Sequence, residues 1–121
     1  MEWERLGSEQ FETLLADEER AISVITVSEL LHGVHRARGA KRTRRQAFAE
    51  HILAGFEPIP ITELVARIHA EIWAGLSRRG QAVGAHDLWI GATAMASGFG
   101  VATVDVDDFR RIPGLRVVGP S

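Results

Sequence analysis

Residues 88–104, LWIGATAMASGFGVATV, carry no charge, and acids stand on both sides of them: Asp87 in front, and Asp105, Asp107 and Asp108 behind. Gly98 and Gly100 break the run, and the Val101-Ala102-Thr103-Val104 that follows is short and β-prone. The stretch therefore reads as a buried helix, a tight turn and a strand. The run falls short of the ~20 apolar residues a membrane span requires and is tightly flanked by carboxylates, which favours a core helix plus strand over a span. Asp87 is then expected at the helix N-terminus and Asp105 just past the carboxyl end of the strand, where open α/β sheets place their ligand sites.

A chain of 121 residues suffices for one domain with a core that needs no staples. Its 45% hydrophobic and 25% charged residues are globular values and argue against disorder. There is no cysteine, which removes disulfides, zinc-thiolate sites and thiol nucleophiles. The opening MEWERLGSEQ is charged where a secretion signal needs an apolar segment. A net charge of −2 gives no global attraction to nucleic acid. Lys41-Arg42-Thr43-Arg44-Arg45, Arg78-Arg79 and Arg110-Arg111 are nevertheless clustered bases, read either as solvated faces or as local phosphate contacts around an acidic pocket.

Residues 1–16 show an amphipathic helical pattern, and 21–26 read as a strand that runs directly into a helix over 27–34. Glu29 is thereby expected in the first turn of a helix at the carboxyl end of a strand. Residues 36–45 read as a basic corner before a helix over 44–54 that Gly55 ends. Pro58 and Pro60 confine 56–61 to an edge or a loop. Residues 62–78 are the longest helix, with Thr62 as its cap and Leu64, Ile68, Ile72 and Leu76 as its apolar stripe. A helical turn over 109–112, a Pro113-Gly114 turn and a strand over 115–118 close the chain. Alternating strands and helices predict an α/β domain with a mainly parallel sheet.

If the strands are parallel, Glu29, Asp87 and Asp105 converge in one crevice from distant parts of the sequence. Crowded carboxylates repel unless a cation neutralises them, and hard oxygen ligands suit Mg²⁺ or Mn²⁺. Such an ion supports hydrolysis of a phosphodiester. Each residue also has a structural reading. Thr26-Val27-Ser28-Glu29 is a capping box, Asp87 complements a helix dipole, and Asp105-Val106-Asp107-Asp108 is a polar turn and helix start. His32 and His35 read as a surface pair, and none of the five histidines stands in a metal-binding pattern. A phosphatase using Asp105-x-Asp107 is a weaker alternative, since no accompanying motif supports it.

Residues 22–34 (ISVITVSELLHGV), 84–94 (GAHDLWIGATA) and 103–109 (TVDVDDF), followed by Ile112-Pro113-Gly114-Leu115, resemble in order the motifs of the PIN-domain ribonucleases, in particular the VapC toxins of bacterial toxin–antitoxin pairs. The resemblance runs from about residue 1 to the end. It implies a single PIN-like domain over 1–121, three-layered and α/β, and a cytoplasmic Mg²⁺- or Mn²⁺-dependent endoribonuclease. The implied partners are an RNA substrate, a small antitoxin and a second copy of the chain, with no membrane. It assigns Glu29, Asp87 and Asp105 as catalytic, metal-binding acids and Thr103 as a polar aid. Because the family often has Asn where this chain has Asp105, Asp107 or Asp108 is an alternative contributor.

The chain departs from the family at its front. Members open with a central strand ending in a metal-binding Asp, whereas Met1-Glu2-Trp3-Glu4-Arg5 resembles the helix that follows that strand. The expectation is that the natural product carries residues ahead of Met1, which mass spectrometry of the native protein would overturn by finding Met1 as its terminus. The competing functional reading is an inactive PIN-like module that binds antitoxin or RNA.

Overall fold

A computed structural model describes residues 21–103 and 106–119 of the chain. Its elements run β1 (Ile22–Ser23), α1 (Val24–Arg36), α2 (Gly39–Ala54), β2 (Pro58–Ile59), α3 (Glu63–Arg78), α4 (Ala85–Ala96), β3 (Val101–Ala102), α5 (Val106–Arg110) and β4 (Val117–Val118). Strands and helices are interspersed as an α/β domain requires, with α1–α2 and α3–α4 consecutive; in place of one sheet the described strands form two separate pairs, both parallel: Ile22 lies opposite Pro58, and Val101 opposite Val117. The helix expected over 1–16, together with Val104 and Asp105, lies outside the described residues.

The uncharged run does form a buried helix. Leu88, Ile90, Gly91, Ala92, Thr93 and Ala94 are all buried, and such consecutive positions go round every side of α4. Helix α3 covers one side, while α1, β1, β3 and α5 meet it elsewhere. The one buried hydroxyl of this set, on Thr93, donates to the Trp89 carbonyl at 2.8 Å, so it carries no unsatisfied polar group inward. Gly98 then ends the helix in a left-handed conformation, φ 74°. The Phe99 N–H reaches the Ala94 carbonyl at 2.8 Å and the Gly98 N–H the Met95 carbonyl at 3.2 Å, a Schellman motif. This tight reversal delivers β3 alongside the helix it follows. At the start of β3, Gly100 permits a close backbone approach: a Cβ there would lie 2.7 Å from the Arg116 carbonyl oxygen.

Three expectations need correction. Strand β1 stops at Ser23, because Ser23 caps α1: its Oγ accepts from the Thr26 N–H at 3.1 Å. A cap contributes about 1 kcal/mol and burial of Thr26 and Leu30 adds to it, so the β-prone Val24-Ile25-Thr26 is helical. Glu29 consequently sits in the second turn, and the cap is Ser23, not Thr26. Helix α2 begins at Gly39, not near residue 44, since Lys and Arg are good helix formers and Gly39 takes the entry at φ 60°. In α3, Thr62 caps as expected, but the buried positions are Val65, His69, Ile72 and Leu76, while Leu64 is 55% exposed. A strict i, i+4 stripe advances about 40° per step around a helix and winds off the core face.

Gly98→Ala isolates the cost of the reversal, because nothing lies within 4 Å of the added Cβ. The substitution is expected to lower stability by roughly 1–2 kcal/mol. Urea unfolding should show a lower midpoint with an unchanged slope, and an unchanged midpoint would refute the assignment.

Candidate active site

One predicted acid, Glu29 on α1, comes to the residue before another, Asp87, where α1 passes the start of α4. Asp87 stands in the first turn of α4, as expected, where the helix dipole favours a carboxylate. Its neighbour His86 reaches across to α1, with Nδ1 3.6 Å from Glu29 Oε2. Glu29 is the more enclosed partner, its side chain 22% exposed against 61% for His86. Helix α1 thus approaches the first turn of α4 through Glu29 and His86, with the imidazole the more exposed of the two.

The closing motif supplies the other candidates. Thr103 is fully buried, and its N–H bonds to the Val118 carbonyl at 3.0 Å, extending the β3–β4 ladder by one residue. Asp107 is exposed, whereas Asp108 is half-buried and accepts from Arg111 Nη1 at 3.1 Å. The same Nη1 donates to the Ala82 carbonyl at 2.8 Å. Arg111 therefore ties the start of α5 to the loop that leads into α4 and Asp87. Asp105 lies outside the described residues.

Sequence reasoning missed what holds α4 in place. His69 on α3 is buried and stacks on Trp89, two residues after Asp87, with ring centroids 3.6 Å apart and planes 12° from parallel. Trp73 meets the same imidazole edge-on at 5.8 Å. Burial lowers the His69 pKa below the usual 6.5 by penalising the charged form. The available signal was the i, i+4 pair His69 and Trp73 on the longest helix; that Trp89 completes the stack follows only from the packing of α3 on α4. The roles of His86 and Arg111 were equally hidden, since both depend on long-range contacts.

Residues 4–115 match the family model of the PIN domain. The chain belongs to the PIN-domain family. It is 37% identical over 101 residues to Ribonuclease VapC1 of Rickettsia felis, covering 83% of this chain and 75% of that relative. It is 32% identical over 96 residues to the tRNA(fMet)-specific endonuclease VapC of Salmonella typhimurium, covering 79% of this chain and 71% of that one. Among solved structures, VapBC-5 of Mycobacterium tuberculosis, a member of the VapBC family of toxin–antitoxin systems, superposes with a TM-score of 0.76. The two share 33% identity over 83% of this chain and 81% of that one.

The donor chemistry of this PIN-domain site fits the divalent ion that the family implies. Carboxylate oxygens without thiolates suit Mg²⁺ or Mn²⁺, and Mg²⁺ commonly takes only one or two protein carboxylates beside substrate phosphates and water. Among the described residues no three His, Cys, Asp or Glu are grouped to hold an ion. Also among them, no helix is long and apolar enough to cross a membrane.

The stacked imidazole gives a pH test. Because the folded pKa of His69 lies below the unfolded value of 6.5, the unfolded chain binds the proton more readily between the two. Its contribution is whole above pH 6.5 and is lost as pH falls below it. Thermal melts from pH 7.5 to 5 should show a falling midpoint whose slope shrinks in His69→Phe. An identical slope in the variant would remove His69 as the cause.

Proposed function

We propose that the chain is a metal-dependent endoribonuclease, the toxin of a VapBC-type toxin–antitoxin pair, that hydrolyses RNA phosphodiester bonds in the cytoplasm. The observation that carries this reading is the approach of Glu29 on α1 to His86, the residue before Asp87 in the first turn of α4, in a chain 37% identical to a VapC ribonuclease. Glu29 and Asp87 would hold Mg²⁺ or Mn²⁺, with Asp105 as the third acid and Thr103 and Asp108 as auxiliaries. When bound there, the ion supplies Lewis-acid polarisation of the phosphoryl group and a nucleophile from water at neutral pH.

The chain's own residues perform the remaining tasks. Glu29, mostly enclosed on α1, offers a carboxylate whose orientation is restricted by the helix. Asp87 offers the second from the start of α4, fixed by the packing of that helix on α3. The Arg111 bonds to Asp108 and to the Ala82 carbonyl keep the loop before α4 and the start of α5 in register. An ion held by Glu29 and Asp87 together would offset the mutual repulsion of their carboxylates. A small antitoxin and a second copy of the chain are the proposed partners, by likeness to the VapBC systems.

RNA cleavage by the purified chain in Mn²⁺ or Mg²⁺ tests the proposal. Cleavage should vanish with EDTA and fall by at least about 100-fold in Asp87→Asn and in Glu29→Gln, beyond the usual loss for an outer-sphere partner. A folded protein that binds RNA or antitoxin and never cuts would instead be the inactive PIN-like module.

A further inference from the structure

Residues 30–49 contain no Asp or Glu and six of the 14 Lys and Arg of the chain. The fold gives this imbalance a direction. On α1, Glu29, His32 and Arg36 are spaced three and four residues apart, so they share one face, with Arg36 about 10 Å further along the axis than Glu29. His32 and Arg36 are exposed, while Thr26, Leu30, Gly33 and Val34 turn inward. The chain then passes through Ala37 and the N-cap Arg38 into α2, and Arg38, Lys41, Arg42 and Arg44 are exposed as well. Arg45 fixes the corner by donating to the Gly33 carbonyl at 3.0 Å, one turn beyond Glu29. The bases are thus held at a set place relative to the carboxylates.

Helix stability does not account for them. His35 and Arg36 suit the C-terminal dipole of α1, but α2 has no acid in its first turn. It begins instead with Arg38, Lys41 and Arg42, of the same sign as its own dipole. A local conflict of this kind marks a functional surface. The large exposed hydrophobic residues, Val24, Ile61, Leu64 and Trp73, all lie outside residues 30–49, so the stripe lacks the apolar anchors that protein partners use.

We propose that this stripe, from Glu29 up α1 and over the corner to the start of α2, is the track that holds the RNA backbone on one side of the carboxylate site. Arg36, Lys41 and Arg42 take successive phosphates; the distance from Glu29 to Arg36 spans about three nucleotides at the ~3.4 Å rise of a stacked strand. The inference rests on the ribonuclease reading and names how its substrate is positioned.

The test compares Arg36→Ser/Lys41→Gln/Arg42→Gln with its parent. In an Asp87→Asn background, anisotropy of a short fluorescein-labelled single-stranded RNA is measured against KCl concentration. The variant should lose at least about tenfold in affinity at low salt, and the slope of log K against log salt should shrink by about 2. With Asp87 intact, KM should rise with kcat nearly unchanged, and the melting point should change little, because the conflict relieved at the start of α2 offsets the favourable charge lost with Arg36 at the end of α1. An unchanged slope and KM in a folded variant, or loss of antitoxin binding with RNA binding intact, would overturn the track. Absence of cleavage by the Asp87-intact parent would count against the ribonuclease reading instead, and the slope would still decide the track.

Discussion

Because Leu88, Ile90, Ala92 and Ala94 point in different directions round one helix, α4 must be covered on every side, and the rest of the described fold supplies that cover. Each fully buried Leu or Ile side chain contributes about 1.5–3 kcal/mol relative to an exposed one. The His69–Trp89 stack lies in the largest of these contacts, between α3 and α4. It also fixes the rotation of α4 about its axis two residues after Asp87. The position of Asp87 in the fold is therefore held by apolar packing and a stacked imidazole.

Polar chemistry is consequently confined to the ends of apolar elements. Asp87 occupies the first turn of α4, Thr103 the residue after β3, and Asp108 the start of α5. Glu29 differs: it lies within a helix and meets the start of α4 through His86, at 3.6 Å. A segment that is uncharged along its length can place functional groups only at its boundaries. The described candidate acids accordingly stand at such boundaries, apart from Glu29.

The legibility of the sequence followed the same division. The helix, turn and strand of residues 85–102 were readable because an uncharged run and a glycine break are local signals, and α3 was readable from Thr62 and its apolar period. The end of β1 was misread because Val24, Ile25 and Thr26 favour a strand by composition, while a single hydroxyl on Ser23 favours the helix. The exposed Leu64 was misread because i, i+4 spacing alone does not say which edge of the stripe meets the core. The candidate acids were found by motif order, and Asp87 lies where that order put it. Contacts such as Arg111 to the Ala82 carbonyl span 29 residues and leave no mark in either local sequence.

Net charge conceals the electrostatic organisation of this surface. A total of −2 suggests indifference to nucleic acid, yet the sum combines the candidate acids with an acid-free basic corner that runs from the end of α1 to the start of α2. At a Debye length of about 8 Å under physiological salt, a phosphate beside Arg36 responds chiefly to the bases around it and only weakly to Glu29 some 10 Å away along the axis. The two regions can then act on different parts of one polyanion: the basic corner attracts the backbone, and the carboxylates repel it until a cation is present. Separating attraction from chemistry in this way allows binding and cleavage to depend on different residues, which a uniformly basic cleft would not.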